Sequence, residues 1–120
     1  MQVLLGVGGG DHSFRALAET VERARAAGDD LTVAVYTSSG NALSEIREQV
    51  RDRLDGLDFE APIRTIEGDP GSGLVALAED EEFDRIALAG GTRSPLGKIQ
   101  LDPVSEFVLL NAPMTVTLVR

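Results

Sequence analysis

Apolar positions along the chain form short continuous runs separated by longer stretches in which they recur every three or four residues. Gln2-Val-Leu-Leu-Gly-Val7 is too short for a helix and predicts a strand buried on both faces. After Gly8-Gly9-Gly10-Asp11, apolar residues recur at Phe14, Leu17, Ala18, Val21 and Ala24. This stripe predicts a helix over 12–27 that Gly28 stops. Leu31–Tyr36 predicts a second strand, ended by Thr37-Ser38-Ser39-Gly40. The stripe Leu43, Ile46, Val50, Leu54, Leu57 predicts a helix capped by either Asn41 or Ser44. Its outer face, from Glu45 to Arg53, carries opposite charges at three- and four-residue spacings, as a solvated helix surface does.

The alternation continues to the end of the chain. Pro62–Glu67 predicts a short third strand. Gly68-Asp69-Pro70 predicts a turn into a helix from about Gly71 to Asp80, with Leu74, Val75, Leu77 and Ala78 inward. A fourth strand spans Arg85–Ala89, followed by the loop Gly90–Lys98, a helix from Pro103 to Leu110 and a last strand, Thr115–Val119. Strictly alternating strands and helices, with strands that are apolar throughout, imply a parallel sheet covered on both faces. The predicted fold is α/β, a three-layer doubly wound domain with five parallel strands. Its switch point places the loop after strand one beside the loop after strand four.

Composition narrows the chemistry. In 120 residues there is room for one domain and one continuous core. No cysteine is present, which excludes disulfides, thiolate metal sites and cysteine nucleophiles, and His12 is the single histidine. The net charge of −9 is spread along the chain and argues against nucleic acid or an anionic membrane as partner. No apolar run approaches ~18 residues and the start lacks a basic leader, so the expected location is the cytoplasm. One lysine against ten arginines, with this acidity, resembles the composition of proteins from salt-loving archaea.

The segment from Asp84 to Glu106 concentrates the candidate chemistry. A strand, a glycine-rich basic loop and a helix start near Asp102-Pro103 supply free backbone N–H groups and the positive end of a helix dipole, the elements of an anion site. Arg93 and Lys98 either serve that site or offset neighbouring acids. Familiar motifs are incomplete. A dinucleotide fingerprint lacks its last glycine at Ser13 and its acid after strand two, and Gly97-Lys98-Ile99 lacks the hydroxyl of a Walker A loop. A receiver domain would need acids after strand one, where glycines stand. Val7-Gly8-Gly9-Gly10-Asp11-His12 keeps the glycines and aspartate of a pyrophosphatase loop but not its serines, leaving a nucleotide-hydrolysing or adenylating enzyme as one alternative. No nucleophile stands beside a general base, so no enzyme is expected.

The order βαβαβαβαβ, the turn Glu67-Gly68-Asp69-Pro70, the strand Asp84–Ala89, the close Ala112-Pro113-Met114-Thr115-Val116 and His12-Ser13 with Ala16-Leu17 after strand one resemble the universal stress protein family. The resemblance covers nearly the whole chain. It implies a sheet in the order 3-2-1-4-5, of the adenine nucleotide alpha hydrolase-like kind, and a homodimer paired through the last strand, Thr115 to Val119. Many members bind ATP through an aspartate after strand one and a G-x-x-G-x9-G-Ser/Thr motif. On this chain those positions are Gly8, then Ala89 and Thr92, then Asp102-Pro103. The residues it implies for an adenine nucleotide are Gly8, Gly9, Gly10, Gly90, Gly91, Thr92, Arg93, Ser94, Lys98 and Val104. ATP binding is expected to be weakened or lost, because glycine at 8 anchors nothing and Asp102 sets a negative charge before the helix. The alternative is a regulatory dimer that binds a protein partner and no nucleotide.

Overall fold

The computed structural model describes residues 1–37, 42–90, 92–93 and 99–119, with the backbone alone at 92–93 and 99–100. Its elements are β1 (Gln2–Val7), α1 (Asp11–Ala27), β2 (Asp30–Val35), α2 (Leu43–Gly56), β3 (Ile63–Thr65), α3 (Pro70–Asp80), β4 (Arg85–Ala89), β5 (Thr92–Arg93), β6 (Ile99–Gln100), α4 (Pro103–Asn111) and β7 (Thr115–Val119). The five long strands form one all-parallel sheet in the order β3-β2-β1-β4-β7. With β7 as the fifth strand of that sheet, this is the expected 3-2-1-4-5.

Two-sided burial explains why the strands read as unbroken apolar runs. Along β1, Val3, Leu5 and Val7 enter a core with Phe14 and Leu17 of α1 and Val50 of α2. Leu4 faces the opposite way, into a second core with Leu74 of α3, Leu88 of β4 and Val108 of α4. The two helical layers are therefore α1 with α2, and α3 with α4. On the second face the helices approach closely at Gly71, where a Cβ would lie 2.8 Å from the Phe107 ring.

Helix ends follow local chemistry, with some departures from expectation. Gly28 closes α1 with φ +72° and donates its N–H to the Ala24 carbonyl, the left-handed stop that glycine permits without strain. Asp69 caps α3 by accepting from the Ser72 N–H at 2.9 Å, and Pro70 starts it. The cap of α1 is Gly10, which has no side-chain bond to offer. The cap of α2 is Ala42, not Ser44, and Asn41 lies outside the described residues. A small antiparallel ribbon, Thr92 opposite Gln100 and Arg93 opposite Ile99, rises from what the sequence presents as loop.

Candidate functional site

The sheet order reverses direction between β1 and β4, and this is where doubly wound folds open a crevice at the carboxyl ends of their strands. The two strands run in register from Val3 opposite Arg85 to Gly6 opposite Leu88, so the chain after Val7 and the chain after Ala89 leave the sheet side by side. The start of α4 closes the same end.

Gly8 follows β1, and its N–H points to the Ser13 hydroxyl, which accepts at 3.4 Å from the buried face of α1. Ser13 thus steadies the loop rather than the helix end. Gly9 adopts φ +93°, a turn that favours glycine. Gly10 lies beneath the exposed His12 ring.

The crevice wall next to β1 is Tyr36. Its N–H donates to the Val7 carbonyl at 3.1 Å, continuing the β1–β2 ladder. Its side chain crosses β1 and is 7% exposed. A Cβ built on Gly6 would lie 3.3 Å from Tyr36 Cε1; one built on Gly8 would lie 2.8 Å from Cε2 and 3.2 Å from the hydroxyl oxygen. The missing side chain at residue 8 is therefore space already filled by a phenol. Burial first, and the Asp102 charge second, push the Tyr36 phenol well above its ordinary range, so it stays protonated.

Asp102 caps α4. One carboxylate oxygen accepts from the Ser105 N–H at 2.8 Å and the other from the Ser105 hydroxyl at 3.2 Å. Pro103, at the first helical position, has no N–H to offer. The helix start is thus fitted with its own anion, as the sequence suggests. Val104 is buried in the α3–α4 core and presents no side chain to a ligand. Gly90 also departs from expectation. Its N–H donates to the Val119 carbonyl of β7, so it is committed to the sheet. Thr92 and Arg93 belong to the β5–β6 ribbon, which follows β4 in the chain. Gly91, Ser94 and Lys98 lie outside the described residues.

The structure therefore brings together Gly8, Gly9, Gly10, Tyr36 and Asp102, and draws Gly90 and Val104 into the scaffold. The sequence pattern places Tyr36 only at the end of the second strand, and the structure buries it. What the pattern misses is that the packing partner is the backbone of Gly6 and Gly8, two glycines on one face of β1. Among the described residues no cluster of His, Asp or Glu is arranged to hold a metal ion, and no helix is long and apolar enough to cross a membrane.

These features define a doubly wound domain of the adenine nucleotide alpha hydrolase-like class. Residues 1–120 match the universal stress protein family, and the chain belongs to that family. A universal stress protein of Methanothermobacter thermautotrophicus is 36% identical over 96 residues, which cover 76% of this chain and 62% of that protein. A crystal structure of a universal stress protein in complex with cAMP superimposes with a TM-score of 0.77 at 24% identity, over 100% of this chain and 96% of the other. A universal stress protein from Archaeoglobus fulgidus in complex with dAMP gives 0.72 at 18% identity, over 100% and 98%.

Proposed function

We propose that this chain is a non-enzymatic universal-stress-type protein, a cytoplasmic homodimer whose β1–β4 crevice takes an adenine nucleotide and holds ATP weakly. The observation that carries this reading is the capped start of α4. Asp102 occupies the Ser105 N–H and Pro103 removes another donor, so a polyphosphate meets a carboxylate where it needs N–H groups. The cAMP and dAMP complexes of similar folds support an adenine ligand with a single phosphate. The net charge of −9 supports neither nucleic acid nor membrane as partner.

Calorimetry of the purified protein with AMP, ADP and ATP tests the reading. Affinity is expected to fall as phosphates are added. ATP binding tighter than AMP binding would sink it. If none of the three binds, the protein-partner alternative takes over.

Homodimer formation through β7 is supported by the surface beside it. β7 is an edge strand with Val116 and Leu118 half-buried, and on α4 Leu109 is 39% and Leu110 77% exposed. An edge strand preceded by a helix with exposed leucines fits a second copy of the same chain. Sedimentation is expected to give a dimer for the wild type and a monomer for Leu110→Asp. A monomeric wild type would remove the dimer from the reading.

A further inference from the structure

Tyr36 has a geometry that packing alone does not demand. Its ring lies along β1 with Cε1 over Gly6 and the hydroxyl over Gly8, so the phenol points up the strand towards the crevice. This arrangement exists because both residues lack a Cβ; alanine at 8 would place a carbon within 3 Å of the ring. The backbone bond from Tyr36 to Val7 fixes where the ring starts. No described side chain or backbone group is hydrogen-bonded to its hydroxyl.

The groups around the phenol define what it can meet. Among the described residues Asp102 carries the charge that acts on it, and each Asp102 oxygen already takes one Ser105 donor while keeping a further lone pair. A neutral hydroxyl beside a carboxylate welcomes a group that donates hydrogen bonds and bears no negative charge. A phosphate oxygen could accept from the phenol, but its negative charge is opposed by that of Asp102. An alcohol can accept from the phenol or donate to it, and it brings no negative charge near Asp102. On an adenine nucleotide the alcohols are those of the sugar.

We propose that the Tyr36 hydroxyl is the specificity-determining group of the crevice: it bonds a sugar hydroxyl of the ligand and, with Asp102, turns the phosphate away from α4. This inference rests on the adenine-nucleotide reading and adds to it which end of the ligand is recognised and by which atom. The phenol stands where a side chain at residue 8 would otherwise reach the ligand, and it does so without charge.

The test is calorimetry on the full chain and on Tyr36→Phe, with adenosine, 2′-deoxyadenosine and 3′-deoxyadenosine as probes. Phenylalanine keeps the ring on Gly6 and Gly8, so the fold and the crevice wall are retained; an unchanged urea midpoint verifies this. One hydrogen bond is expected to be worth about tenfold in affinity. The wild type should bind adenosine about tenfold more tightly than one of the two deoxy analogues, and Tyr36→Phe should lose that preference while binding the same deoxy analogue as the wild type does. Equal affinity of wild type and Tyr36→Phe for adenosine overturns the inference and leaves the nucleotide reading standing. So does a sugar preference that survives in the variant. A wild type that binds neither adenosine nor AMP overturns both.

Discussion

Asp102→Asn strengthens ATP binding by ten- to a hundredfold at low salt and leaves adenosine binding unchanged. A carboxylate about 5 Å from a phosphate, at an effective dielectric constant of about 20, costs about 3 kcal/mol, or somewhat over a hundredfold. Asp102 is exposed, so solvent screening brings the expected gain below that limit. Asparagine is chosen because it is as good a helix cap as aspartate; its amide oxygen can still accept from the Ser105 N–H. The substitution therefore removes a charge and keeps the start of α4. Adenosine, which has no phosphate, is the control for any change in the shape of the crevice. Titration in molar KCl supplies a second check, because the screening length falls to about 3 Å at 1 M salt and the difference between wild type and variant should shrink with it. An equal gain for adenosine and ATP, or no gain at all, would mean that Asp102 does not face the phosphates.

Leu4→Ala should cost the domain about 3–4 kcal/mol and lower its melting temperature by about 10–15 °C. Leu4 lies on the central strand, is fully buried, and faces Leu74, Ile86 and Leu88 in the core under α3 and α4. Removing it leaves a cavity among side chains held by strands on both sides, where collapse is hindered. Against a total stability of about 5–15 kcal/mol for domains of this kind, that is a large fraction. Leu77→Ala, at a half-buried position at the margin of the same core, should cost far less. Urea denaturation at fixed salt measures both, and similar midpoints for the two variants would contradict the layered core described above.

The fold was legible because the central strands are buried on both faces and each helix on one. The bounds read for β4 and β7 coincide with the structure, Arg85–Ala89 and Thr115–Val119, since each is a short run dominated by apolar and β-branched residues. β3 is shorter than read, three residues rather than six, because it pairs on one side only and Arg64 and Thr65 face solvent. The caps Asp69 and Asp102 are legible because an acid followed by proline has a local cause. The ribbon of Thr92–Arg93 with Ile99–Gln100 was not, since two residues carry no periodicity. The least legible feature is Tyr36 on Gly6 and Gly8. Thirty or so residues separate the ring from its seat, and glycine in a strand signals a close approach without naming what approaches. The bond made by Gly90 was illegible for a related reason. A glycine after a strand suggests a free N–H, and only the tertiary ladder reveals that Val119 has taken it.

The two edges of the sheet are unequal. β3 offers three residues, with Arg64 tied to Glu81, whereas β7 offers five with an apolar margin. A sheet that can grow at both ends stacks without limit, copy upon copy. One that can grow at a single end joins a second copy once, about a two-fold axis, and is then finished. The brevity of β3 therefore acts as a terminator: were copies to pair through β7, the other edge would give growth of the sheet little purchase.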